Sequence, residues 1–226
     1  MARAALITGL LCFALAALAQ APAQRAIELP LGDESRWQTL TYRNLPPHRL
    51  RFSAQGLVMS VERSAMPVIH PLASPVEVAR IRVQGRLEGE LRLPPGRQGE
   101  EKFDDYVFRI GLVEPGARTL NFVQRQLAAP WVRKLFELAP AGAGISRIHF
   151  FNVGAERAHL GRERQHPLSE LIHERVVALA GADGRFDFTH ELAKPLAAVA
   201  VWLSSDGDDT GSSFTVFVER IELLTN

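Results

Sequence analysis

VEVARIRVQGRLEGELRL, residues 76–93, alternates apolar and polar side chains along most of its length. Val76, Val78, Ile81, Val83, Leu87 and Leu91 hold the apolar positions. Successive side chains of a strand point to opposite faces, so this period of two specifies a half-buried strand rather than a helix. The same period continues on both sides. Upstream, HRLRFSAQ (48–55) sets Leu50 and Phe52 against Arg49 and Arg51, and LVMSVE (57–62) resumes the alternation after Gln55-Gly56. Two such runs separated by a glycine turn predict a hairpin. Downstream come YVFRIGLVE (106–114), RIHFFNVG (147–154), RVVALAG (175–181), RFDFTHEL (185–192), AAVAVWLSS (197–205) and SFTVFVERIELL (213–224). Short strands parted by Gly, Pro and Asp predict an all-β fold, an antiparallel jelly-roll-like β-sandwich.

One segment departs from the period. Between Leu120 and Leu138 the apolar residues Phe122, Leu127, Trp131, Leu135 and Leu138 recur at helical spacing. Pro130 starts or kinks a helix, so one inserted amphipathic helix is expected, best defined from Pro130 to Leu138. Its apolar face is read as core packing, with a protein contact around Trp131 as the alternative. AERAHLGRERQHP (155–167) reads as a surface loop. No repeat and no long linker follows, so residues 24–226 are expected to form a single β-sandwich domain.

The first 23 residues read as a signal peptide. Arg3 precedes an apolar run from Ala4 to Ala19, and small residues recur with A-x-A spacing, predicting cleavage after Ala19 or Ala23. A spanning helix needs about 20 mostly apolar residues, and this run ends sooner in Gln20, Pro22 and Gln24. The mature chain is therefore expected to be periplasmic or secreted and not membrane-spanning. Cleavage would remove Cys12, the sole cysteine, and with it any disulfide or thiolate chemistry. Losing Arg3 also leaves 25 basic residues against 25 acidic ones, which argues against nucleic acid as a partner.

The C-terminal stretch PLAAVAVWLSSDGDDTGSSFTVFVERIELL (195–224) leads an apolar strand into an acidic loop and back along an alternating strand. It resembles the terminal hairpin of galactose-binding and carbohydrate-binding jelly-roll modules. It is also similar to an exported bacterial family catalogued as a domain of unknown function, as is FDDYVFRIGLV (103–113) with its paired aspartates. The chain lacks that family's tryptophan-rich strand near Ile81 to Val83. The resemblance implies fold and export; it implies no reaction.

Candidate sites are few. Asp206, Asp208, Asp209 and Thr210 crowd three carboxylates into four positions, and calcium is the cation such an oxygen-rich set would take, against the alternative of a solvated turn. Asp104 and Asp105 could grip sugar hydroxyls or supply acid and base, although adjacent strand residues diverge. Trp202, with Tyr106 or Tyr42, could stack on a sugar if it faces solvent beside Asp206; facing inward, it is core. His149, His166, His173 and His190 lie on different elements and show no metal-binding spacing. No Gly-x-Ser-x-Gly elbow and no P-loop is present. The leading expectation is a non-catalytic protein binding a glycan or envelope component. A carbohydrate hydrolase or lyase, and a structural or protein-interaction protein, are the alternatives.

Overall fold

The computed structural model describes residues 25–128, 130–139, 143–167 and 169–226. The side chains of Arg125, Pro130 and Trp131 lie outside that description, as does the expected signal peptide. The strands are β1 (Ala26–Glu28), β2 (Gln38–Thr39), β3 (Arg49–Ser53), β4 (Gly56–Glu62), β5 (Val68–Glu90), β6 (Phe108–Gly116), β7 (Gly144–Gly154), β8 (Glu163–Gln165), β9 (Ile172–Leu179), β10 (Arg185–Ser204) and β11 (Ser213–Leu224). Two short helices, α1 (Phe122–Leu127) and α2 (Pro130–Glu137), fall between β6 and β7. Among the described residues the hydrogen-bonded order is β3-β4-β11-β5-β10-β6-β7-β9-β8, with β1 added on β11 and β2 on β5.

This continuous ladder is folded back on itself into a sandwich. The register between β5 and β10 breaks between Glu191 and Leu196 and again between Ala198 and Ala200. Pro71, Pro75 and Pro195 lie at these breaks, where a residue without an N–H costs the ladder least. On either side of the breaks the strands belong to different layers. Along a straight β10, Phe186 would sit about 60 Å from the level of Phe108 on β6. Instead the two rings stack with centroids 5.9 Å apart. Between the layers Leu57, Met59, Val61, Phe214 and Val216 meet Ile110, Leu112, Phe151, Val201 and Leu203 in one buried cluster.

A second apolar cluster covers the outer face of the β6–β7–β9 layer. Ile69, Ile148, Phe150 and Trp202 are buried there beneath Leu135 of α2. Gly111 of β6 lies across from Trp202 on one side and from Phe150 on the other. A Cβ at Gly111 would stand 2.7 Å from the Phe150 ring. Its absence lets the two rings meet edge to face at 5.6 Å.

Several expectations are corrected. The C-terminal strands do not form a hairpin: β10 and β11 each pair with β5, one on each side, so residues 205–212 cross between layers. The sheet is not wholly antiparallel, because β7 and β9 run parallel. RFDFTHEL and AAVAVWLSS are two halves of the single strand β10. β6 begins at Phe108, not Tyr106, and the 155–167 loop contains β8. The helical segment is two pieces, and its first piece does not pack: Phe122, Val123 and Leu127 are exposed, while Leu135 of α2 is buried. The expected hairpin forms one residue earlier than read, with Ala54 and Gln55 as its turn and Gly56 paired with Ser53 at a φ of 112° that favours glycine.

Candidate functional site

The acidic loop is fastened to the approach of β6 by interlocking hydrogen bonds. The Asp206 N–H donates to the Tyr106 carbonyl at 3.2 Å, and the Gly207 N–H to that of Ser64 at 3.1 Å. His48 bridges the Ser64 hydroxyl at 2.8 Å and the Ser205 carbonyl at 2.7 Å. Asp105 accepts from the Thr210 N–H at 2.8 Å and from its hydroxyl at 2.6 Å. In return the Asp104 N–H donates to the Asp209 carboxylate at 3.1 Å. Asp104 and Asp105 therefore send their carboxylates to different partners. Asp105 holds the loop, and Asp104 joins a buried ionic network.

Arg109 is the centre of that network. Its position on β6 places it on the Trp202 face, opposite the face that carries Phe108 and Ile110. Its side chain is 7% exposed yet meets Asp206 at 2.5 Å, Glu174 and Asp104. One Nη also donates to the Asp104 carbonyl at 2.6 Å, and the guanidinium lies 4.4 Å from the centroid of the Tyr106 ring. Arg164 of β8 binds Glu174 at 2.6 Å and also reaches Asp104 and the Gly99 carbonyl. His166 meets the second Asp104 oxygen at 3.1 Å. The network thus holds two guanidinium groups against three carboxylates, Asp104, Glu174 and Asp206.

That imbalance falls on Asp206. Burial, reinforced by Asp105, Asp208 and Asp104, outweighs Arg109 and pushes its carboxyl up to about 7. Burial and the nearby Asp105 push Asp208 up to about 6. Burial also acts on Asp104, but Arg109, the His166 hydrogen bond and Arg164 overcome it and hold that carboxyl well below the usual range. The signs are opposite. Asp104 stabilises the fold above the ordinary carboxylate pKa of about 4 and loses that contribution as pH falls. Asp206, which takes up a proton more readily when folded, costs stability as pH rises from about 4 through about 7. Asp206→Asn keeps an acceptor for Arg109 without that titration. In denaturant titrations the stability of the wild type relative to this variant should therefore fall between pH 4 and pH 8. An unchanged difference across that range would refute the assignment.

Beside the network opens a pocket of about 350 Å³. Asp104, Asp206, Asp208, Asp209 and Arg109 supply its charged side; Tyr42, Leu45, Phe150, Ile172 and Trp202 supply its apolar side. Of the residues singled out in sequence, Tyr42, Asp104, His166, Trp202, Asp206, Asp208 and Asp209 converge here. Asp105, Tyr106 and Thr210 do not line it. Tyr106 is 3% exposed and lies against Arg109, and Trp202 is 1% exposed. Rings so enclosed cannot offer a face to a sugar; both are packing residues, and Trp202 contributes to the pocket floor. Tyr42 is the half-buried aromatic ring of this wall.

The donor set for calcium fits poorly. Arg109 lies on Asp206, while Asp209 and Thr210 are engaged with the 104–105 segment. Asp104, His166 and Glu174 bring one ligand atom each within 4.8 Å of one another, but two arginines already neutralise that cluster. Arg109, Arg164 and Glu174 went unread in the sequence. The one available signal was an arginine between apolar neighbours in FRIGLV, where a charge on a covered strand needs partners.

Searches with family models and against curated proteins found no match. Comparison with solved structures returns matches of low similarity. The xylan-binding module CBM15 matches with a TM-score of 0.39 at 11% identity over 89% of this chain and 97% of its own. Xylanase10C from Cellvibrio japonicus, in complex with xylopentaose, gives 0.34 at 10% identity over 88% of this chain and 28% of its own. The Crh5 transglycosylase in complex with NAG gives 0.31 at 9% identity, covering 88% and 83%.

Proposed function

We propose that this chain is an exported, non-catalytic module that binds a glycan or envelope saccharide in the pocket beside Arg109. One observation carries the reading: carboxylate acceptors fixed by an ionic network face an apolar wall across about 350 Å³. A sugar presents hydroxyls at its edge and C–H groups on its face, and this arrangement meets both. Asp104 and Asp206 are already held by Arg109, so little ordering of these two side chains is left for binding to cost. Asp208 is the half-buried member facing the pocket and the natural hydroxyl acceptor.

A neutral oligosaccharide panel, titrated by calorimetry, tests this. Asp208→Ala should weaken binding at least tenfold and leave the melting temperature within a few degrees. Absence of saturable binding across xylo-, cello- and chito-oligosaccharides, or full affinity in the variant, would overturn the reading. The enzymatic alternative has its own support, since Asp208 is pushed up while Asp104 is held down, the pattern of a separated acid and base. New reducing ends or unsaturated products in the same samples would transfer the assignment to a hydrolase or lyase.

A further inference from the structure

A second concavity, of about 460 Å³, opens at the mouth between the two layers. Its floor is the inner face of β7 and β9. Arg147, His149 and Phe151 follow one another at every second position of β7, and His173 and Arg175 do so on β9. His149 and His173 are register partners with ring centroids 6.4 Å apart. From the other layer His190 closes over Phe151 at 5.0 Å, and Lys194 follows at the bend of β10. Leu192 and Leu196 complete the apolar part of the wall.

The charges here are of the other sign from those of the first pocket. Arg147, Arg164, Arg175 and Lys194 line the cleft against only Glu163 and Glu174. Glu174 is committed to Arg109 and Arg164, and Glu163 is bound by Arg175 at 2.7 Å. Among the described residues Arg147 and Lys194 pair with no carboxylate. Glu114 of β6 reaches in from the side to His149 at 3.1 Å. Three imidazole rings therefore stand among surplus cations, with flat apolar surfaces between them.

We propose that this cleft binds an acidic polysaccharide through its uronate carboxylates, with sugar faces laid on the histidine and Phe151 rings. The proposal does not depend on the first pocket, because the two sites differ in charge and in their exposed polar groups. A bound carboxylate favours the protonated forms of His173 and His190, so binding takes up protons and tightens as pH falls. Burial first, then Arg147 and His149, hold the His173 imidazole down; burial and Arg175 do the same for His190. An arriving anion offsets those neighbouring charges.

Calorimetry with a galacturonate hexamer and a neutral xylose hexamer tests the assignment at pH 5 and pH 8. The acidic ligand should bind at least tenfold tighter at pH 5 than at pH 8. Arg147→Ala/Lys194→Ala, two exposed positions whose loss should not unfold the chain, should weaken it at least tenfold, and Asp208→Ala should leave it unchanged. Equal affinity for acidic and neutral hexamers in the Asp208→Ala background, or undiminished acidic binding in the double variant, would overturn the proposal. So would equal competition by inorganic polyphosphate, which would make the cleft a general anion site. Loss of acidic binding in Asp208→Ala would also overturn it by moving the ligand to the first pocket, whereas failure of the neutral panel alone would overturn only the first site.

Discussion

Arg109→Met should be among the most damaging single substitutions in this protein, lowering stability by about 3–5 kcal/mol. For a domain of this size that corresponds to roughly 6–20 °C in melting temperature. The arginine does not earn this effect by being a strong attraction in itself. Desolvating a charge is expensive, and a fully paired buried ion often contributes little net stability. The damage comes from what is left behind. Without the guanidinium, Asp206, Glu174 and Asp104 face one another in a site where each is buried or nearly so, with Arg164 alone to balance two of them. Protonation relieves that repulsion, so the destabilisation should be largest near pH 8 and should shrink toward pH 4. The Arg49–Glu62 pair serves as a control: its side chains are 75% and 62% exposed, and Arg49→Ala should cost less than about 1 kcal/mol. A melting temperature for Arg109→Met within two degrees of wild type at pH 7 would show that the network is not a structural centre.

The strands were legible because burial of one face leaves a mark at every second residue. SFTVFVERIELL coincides with β11 from end to end, and the hairpin between β3 and β4 was legible from Gly56, which closes its turn. What periodicity cannot carry is which strands become neighbours. AAVAVWLSS and SFTVFVERIELL look like the arms of a hairpin, but a strand's pattern records that a face is covered and not by what. β5 inserts between them because it is long enough, from Val68 to Glu90, to serve both layers. The helical segment failed for a related reason. Phe122 and Leu127 share the spacing of Leu135, yet only the latter meets a partner, over Ile148 and Phe150.

The site was half legible. Clustered aspartates announce themselves in a sequence, so Asp104, Asp206, Asp208 and Asp209 were found. Their counter-charges were not, because Arg109 and Arg164 are 55 positions apart on β6 and β8, and Glu174 is on β9. In a chain whose basic residues are nearly all arginine, two of them give no signal until the sheet brings them together.

Trp202→Ala should destabilise by about 3–5 kcal/mol, the range for emptying a buried aromatic site. Beside an acidic loop this tryptophan could in principle have been a sugar platform, and both roles predict a deleterious alanine. They part on phenylalanine. At 1% exposure Trp202 is enclosed by Phe150, Ile69 and the Gly111 gap, so its contribution is volume and an edge-to-face contact. Trp202→Phe keeps the aromatic contact and most of the volume. It should recover more than half of the stability lost in Trp202→Ala, and its affinity for the neutral oligosaccharide should stay within about threefold of wild type. A stacking platform would behave the other way, with stability near wild type in both variants and binding lost in the alanine variant. Calorimetric titration beside thermal unfolding of the two variants separates these outcomes. Affinity lost tenfold at unchanged melting temperature would return Trp202 to the ligand and require the ring to turn outward from where Phe150 now holds it.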